Sequence, residues 1–236
     1  MTTARHRGKR IHDTIRREIL NGAWRPGERL QPGDLADRYS TSTTVVREAL
    51  TRLAGEGFVS LVPNRGFFVP TLSLESLRDL TEVRCRTEAL AIELALERGD
   101  VAWESALIAS HHTLSRTPRR NPDDPYHTSE EWADAHREFH NQLISACRVP
   151  VLTELSSKLA DATELHRRWA APSPPASTRD VEAEHTAILE AALARDAALA
   201  GALLREHYER TVQIVLESGL ADGAHAKVDI TGDDSE

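Results

Sequence analysis

Nowhere in the 236 residues do apolar side chains run on for the roughly 18 positions a membrane crossing needs, so no membrane partner is expected. The opening segment Met1 to Arg10 is basic with no apolar stretch behind it; no secretory signal is read there, and a cytoplasmic location is expected. Cysteine is scarce. The two present, Cys85 and Cys147, form neither a CxxC pair nor a disulfide framework, and both sit in apolar helical patterns as small core residues. No internal repeat is visible. Net positive charge is also missing: the formal balance is −8, which at first sight argues against nucleic acid as a partner.

What is present is a chain 40% hydrophobic and 28% charged, a balance that fits one or two globular domains of roughly 100 to 200 residues each. Its charge is unevenly spread. Residues 1–70 carry 12 Lys and Arg against 7 Asp and Glu, a net +5, whereas the remainder carries 17 against 30, a net −13. Such asymmetry points to two domains with different partners.

Periodicity divides the chain at the same place. Ile11, Ile15 and Ile19 recur every fourth residue and stop at Asn21-Gly22, predicting a short first helix before the Pro26-Gly27 turn. Pro32 opens a second, with Leu35, Ala36 and Tyr39 on one face. Ser42 caps a third, which buries Val46, Ala49, Leu50 and Leu53 and ends at Gly55-Glu56-Gly57. Phe58 to Val62 and Gly66 to Val69 then read as a hairpin around Pro63-Asn64-Arg65. The result is a helix-turn-helix with a wing. From Leu74 strand signals disappear. Helices are expected at 74–97, 101–116, 130–147, 150–169, 178–194 and 196–218, with the Pro-rich breaks 118–125 and 172–175 as connections. The fold class is therefore mainly α: a flexible basic arm (1–9), a winged helix-turn-helix (10–70), a linker (71–73), an antiparallel all-helical ligand-binding bundle (74–220) and an acidic tail (221–236).

In a helix-turn-helix the last helix enters the major groove by its N-terminal end. Ser42, Thr43 and Thr44 there offer hydroxyls to phosphates and base edges, and Arg47 lies one turn on. Arg65 at the wing tip can reach a minor groove or phosphate, Gly66 permits close backbone approach, and Arg5, Arg7, Lys9 and Arg10 add non-specific attraction. The stretch Ile19-Leu20-Asn21-Gly22, Pro26-Gly27-Glu28-Arg29-Leu30, Leu35-Ala36, Ser42 to Leu50, Arg52-Leu53, Glu56-Gly57 and Arg65-Gly66 resembles the winged domain of the GntR family of bacterial transcription regulators over about 60 residues. The resemblance implies a homodimer on a short, near-palindromic operator in double-stranded DNA. Thr43 replaces the family's usual arginine, and Gly33 a second basic reader, so the operator sequence is left open.

In the acidic half the informative residues are histidines on apolar stripes. His136 and His140 border the line Trp132, Ala135, Phe139, Leu143 and Cys147 one helical turn apart; His185 lies on the core face with Val181, Ile188 and Leu189; His207 shares a face with Leu203, Leu204, Thr211 and Ile214. Three antiparallel helices can bring four imidazoles to one point, a set suited to a transition metal. His136 to His140 also has the histidine spacing of a zinc-protease helix, but Glu138 stands two residues after the first histidine and faces away, so no general base is placed. His166 falls on a stripe with Leu155, Leu159, Ala162 and Trp169, and His111 and His112 read as boundary residues.

Asp79, Arg84 and Glu88, Gly99-Asp100 with Trp103-Glu104, Phe139-His140 with Leu143, Glu184-His185 with Ile188, Asp196, and Leu203 with His207 resemble the ligand-binding domain of the FadR-like (FCD) subgroup. The resemblance implies metal ligands at His140, His185 and His207. It places His136 where the family has a carboxylate, which would leave a divalent cation its full charge and favour Zn or Ni over Mn. It further implies a small carboxylate effector contacting Arg84 with Glu88 beside it; the alternative is a simple i, i+4 ion pair of those two. The function expected is a DNA-binding repressor modulated by that effector. The alternatives are a metal-dependent enzyme with a DNA-tethering domain and a regulator whose histidines are purely structural.

Overall fold

The computed structural model describes residues 2–71, 73–121 and 123–218, so the acidic tail expected at 221–236 lies outside the described residues. The N-terminal half runs α1 (Thr2–Leu20), β1 (Arg29–Leu30), α2 (Pro32–Arg38), α3 (Thr43–Gly55), β2 (Ser60–Val62) and β3 (Gly66–Phe68). Its core joins Ile11, Ile15 and Ile19 of α1 to Val46, Ala49, Leu50 and Leu53 of α3, the faces their spacing predicts. Ser42 caps α3, accepting from the Val45 amide at 3.3 Å. The wing has a strand that the periodicity does not reveal: β3 pairs antiparallel with both β2 and β1, and a two-residue strand is too short to show alternation. The flexible arm expected over residues 1–9 is corrected. No proline interrupts residues 2–10 and a single Gly8 costs only about 1 kcal/mol, so α1 continues back to Thr2.

The second half is a helical bundle: α4 (Leu74–Arg98), α5 (Val101–Arg116), α6 (Glu130–Ser145), α7 (Pro150–Ala170), α8 (Pro174–Thr178), α9 (Val181–Leu193) and α10 (Ala197–Glu217). α4 packs on α10 and α7, and α5 on α6 and α9, around Ile92, Ala95, Leu107, Phe139, Leu143, Ile188 and Leu204. Both cysteines are buried and free. Two expectations are corrected. The Pro-rich break after α5 holds a small antiparallel pair, β4 (Arg120–Asn121) and β5 (Asp124–Thr128), closed by the Arg120 guanidinium on the Pro125 carbonyl. The second break contains α8, because a proline at the first helical position gives up no intrahelical hydrogen bond.

α7 joins the halves. Its C-terminal half faces both domains: Ala170 is buried against Leu77 and Val212 of the bundle, and Leu165 is buried within the core of the winged domain. The Trp169 indole donates to the Ile19 carbonyl at 2.8 Å, Arg168 donates to the Asn21 side chain at 3.2 Å, and Arg16 of α1 pairs with Glu164 at 3.0 Å. These contacts join the winged domain to the bundle in addition to the short linker.

Gly99 closes α4 where Trp103 folds back over it. A Cβ there would stand 2.5 Å from the Trp103 ring and 2.7 Å from the Ala95 carbonyl, neither of which can give way easily. Gly99→Ala is therefore expected to destabilise the bundle by about 1–3 kcal/mol in a denaturant melt; a change within about 0.5 kcal/mol would contradict this packing.

Candidate metal centre and nucleic-acid interface

His136 and His140 come from α6, His185 from α9 and His207 from α10, each with its apolar stripe facing inward. All four are buried, and one ligand atom of each lies within 4.8 Å of all the others. Neighbouring ring centroids stand 4.6 Å (His136 to His140) and 4.8 Å (His185 to His207) apart. His136 also stacks on Trp132 at 4.7 Å. Burial first, and mutual repulsion second, push His136 and His140 well below the ordinary imidazole range; burial does the same for His185. His207 is lowered to about 4, burial outweighing its carboxylate partner Glu184. The cluster is therefore neutral near pH 7 and presents lone pairs.

Surrounding groups fix which nitrogen is free. The Tyr208 hydroxyl donates its one hydrogen to Glu88 and accepts from Arg84 at 3.0 Å, so at 3.1 Å His140 Nδ1 is the donor to it. His140 Nε2 then carries a lone pair, and it is buried without a partner, as is His185 Nε2. His207 Nδ1 donates to Glu184 at 2.7 Å, leaving its Nε2 as the acceptor. Glu184, in spite of its partial burial, is held at about 2 by hydrogen bonds from His207 and Arg179. A carboxylate behind a ligating imidazole is the usual outer partner of a metal site. Orphaned acceptors, assigned tautomers and a charge-free donor set fit a divalent transition metal held by His136, His140, His185 and His207.

A cavity of about 50 Å³, room for a few waters, opens beside His136, His140 and His207. Arg84 and Glu88 line it and are bonded to each other, Nε to Oε1 at 2.8 Å. The guanidinium also donates to Thr163 and Tyr208, and Glu88 accepts from Ser156 and Tyr208. The i, i+4 ion pair and the place on the cavity wall are both present: Arg84 keeps two N–H groups, but its charge is balanced. Arg167, Arg137 and Glu164 line the same cavity. Burial lowers the Arg167 guanidinium to about 10 against the opposing pull of Glu164. Tyr208 and Arg167 are not singled out by the sequence patterns, and Glu184 enters them only as part of the Glu184-His185 motif, with no role assigned. Two of them adjoin a candidate histidine in the chain, and a search of neighbours able to hydrogen-bond an imidazole could have found them. His166 is buried on α7 and is not part of the four-histidine cluster. His111 packs edge-on to Phe139 at 5.5 Å.

In the winged half Ser42, Thr43, Thr44 and Arg47 are exposed along the start of α3, although the Ser42 oxygen is already engaged as the cap. Arg65 is exposed at the wing tip, its guanidinium 5.9 Å from the Phe68 ring. Gly66 has φ +100°, which a side chain would strain, and it lies beside Arg29. These six residues share no hydrogen bond across the wing and α3 among the described residues, so each side chain other than Ser42 is open to a partner.

Residues 79–210 match the FCD domain, and residues 7–69 match the family described as bacterial regulatory proteins, gntR family. The chain is 38% identical over 207 residues to the uncharacterized HTH-type transcriptional regulator BphR of Paraburkholderia xenovorans, covering 87% of this chain and 84% of that one. It is 28% identical over 207 residues to the HTH-type transcriptional repressor GlaR of Escherichia coli, covering 86% and 93%. Among solved structures, E. coli McbR/YncC superposes with a TM-score of 0.70 at 23% identity, over 89% of this chain and 97% of that one. A putative GntR regulator from Rhodococcus sp. RHA1 gives 0.68 at 22%, over 90% and 98%. At those identities the likeness concerns the fold alone.

The depressed histidine pKa values carry a pH dependence. An imidazole whose folded value lies below its unfolded value of about 6.5 contributes fully above that pH and loses its contribution as pH falls toward the folded value. The thermal midpoint of chelator-treated protein should therefore fall between about pH 7 and about pH 5. The fall should be shallower in a His140→Gln, His185→Gln double variant; equal steepness in the two proteins would contradict the neutral cluster.

Proposed function

Because this chain belongs to the gntR family of bacterial regulatory proteins and carries an FCD domain, we propose that it is a cytoplasmic repressor whose grip on DNA is set by a small carboxylate effector bound beside a metal ion. It is a transcription regulator and not an enzyme, as are the relatives it matches, so the reading as a DNA-tethered enzyme falls away. No helix among the described residues is long and apolar enough to cross a membrane.

Two exposed copies of α3 in a homodimer would read successive half-sites of a near-palindromic operator, Thr43, Thr44 and Arg47 toward base edges and Arg65 toward the minor groove or backbone. In the bundle His136, His140, His185 and His207 would hold the ion, Zn or Ni by the nature of the donor set. When bound, it supplies positive charge that attracts a carboxylate. Tyr208 and Glu184 keep two imidazoles in the ligating tautomer, and Arg84 keeps two N–H groups for the acid.

The observation that carries this reading is the convergence of four neutral imidazoles, three of which line a cavity also walled by α7, the helix that contributes Leu165 to the winged core. A purely structural role fits less well, because two buried nitrogens without partners would each cost about 1–3 kcal/mol. Glu164 lines the cavity and also pairs with Arg16 of α1, so a ligand that shifts α7 shifts the DNA-reading half with it.

Two outcomes are expected. Purified without chelator, the chain should carry about one Zn or Ni per protomer by elemental analysis, lost in a His140→Ala, His185→Ala variant; protein that stays metal-free after reconstitution would contradict the site. In fluorescence anisotropy it should bind DNA from its own upstream region selectively and in a salt-sensitive way. Arg47→Ala and Arg65→Ala should each weaken binding by about tenfold, a loss of about 1–3 kcal/mol. Binding without sequence preference would overturn the reading.

A further inference from the structure

Charge around the cavity does not balance. Four guanidinium groups stand on or next to its wall, and three carboxylates serve them. Glu88 is committed to Arg84 at 2.8 Å. Asp161 pairs with Arg137 at 2.5 Å. Glu164 Oε2 is shared between Arg137 and Arg16 of the winged domain. Arg167 is left with Glu164 Oε1 at 3.8 Å, too far for a hydrogen bond, and its guanidinium makes none among the described residues. It is nevertheless a largely buried side chain, 22% exposed.

Position matters as much as charge. The Arg167 guanidinium lies 5.8 Å from the centre of the Trp132 ring, which stacks on His136. It lines the same cavity as His136, His140, His207 and Arg84. A molecule lying in that space with one end at the histidines therefore has a guanidinium fork, charged and without a hydrogen-bond partner, within reach of its other end. An uncharged end would leave that fork desolvated and unpaired, whereas a second carboxylate would engage it through two parallel hydrogen bonds.

We propose that Arg167 is the specificity-determining residue of the effector site, holding a second carboxylate, so that the site selects a short dicarboxylate over a monocarboxylate of equal length. The inference rests on the carboxylate-effector reading above and adds to it the number of anionic groups and the residue that counts them. Arg84 does not fill this role, because Glu88 already neutralises it.

The test is calorimetric titration of the full-length, Zn-loaded chain with succinate and with butyrate, acids of one length that differ in a single carboxylate. Succinate should bind at least about tenfold more tightly, since a site built around a buried charge rejects the analogue that leaves it unpaired. In Arg167→Gln that preference should shrink to about threefold or less, through weaker succinate binding and butyrate binding no weaker than in the wild-type chain, with metal content unchanged. Arg167→Lys, which keeps the charge and loses the fork, should fall between the two. Equal affinity of the wild-type chain for both acids overturns the proposal without any variant. A preference that survives in Arg167→Gln overturns the assignment to this residue. If neither acid binds the metal-loaded chain, the carboxylate-effector reading itself fails and this inference with it.

Discussion

Keeping four imidazoles uncharged and correctly turned inside a helical core is the constraint on which the rest of this molecule depends. A buried ring nitrogen without a partner is costly, and among the described residues none bonds His140 Nε2 or His185 Nε2. The surroundings are arranged to fix the rings from behind. Tyr208 spends its only hydrogen on Glu88 and therefore accepts from His140; Glu184 accepts from His207; Arg84 donates to Glu88 and Arg179 to Glu184. Glu88, 1% exposed, would be untenable there without Arg84, Ser156 and Tyr208 on its oxygens. Stability and ligand chemistry are thus served by one network. Removing a member of it changes the orientation of a histidine as well as the packing.

The same economy governs the link between the halves. The N-terminal half carries net positive charge and exposes the start of α3, whereas the bundle is strongly acidic. An anion is drawn into an acidic domain only where local positive charge exceeds the average, and on the cavity wall that charge is Arg167, whose nearest carboxylate oxygen stands 3.8 Å away. α7 brings that cavity and the winged core into one rigid element through Glu164, Leu165 and Trp169. Effector and DNA need not be near each other for their affinities to be coupled; they need only favour different placements of this helix, and the coupling is then reciprocal.

Much of this was legible from residue order alone. The helices of the winged half follow from the four-residue recurrence of Ile11, Ile15 and Ile19 and from the Ser42 cap, because burial of a single face leaves a periodic trace. The four histidines announce themselves by lying on apolar stripes, where an imidazole is unexpected. The two-residue strands β1 and β4 did not show, since two residues carry no period, and β5 was hidden by the prolines around it. The extension of α1 through residues 1–9 did not show either, because charged solvent-facing residues look alike in a helix and in a flexible arm. Nor did the role of α7. Leu165 and Trp169 look like any apolar face, and nothing in their spacing says which domain that face meets. Arg167 was hidden for a different reason: its significance is an imbalance of charge among residues far apart in the chain, which appears only once the fold has gathered them.

If the metal-loaded histidine cluster is where an effector acts on DNA binding, the affinity of one operator fragment for the chain decides it, measured by anisotropy in four states: chelated or Zn-loaded, each with and without saturating dicarboxylate. The acid should shift operator affinity by about fivefold or more in the Zn-loaded protein and leave the chelated protein unmoved. An equal shift in the chelated protein, or no shift in either, would overturn the proposed coupling.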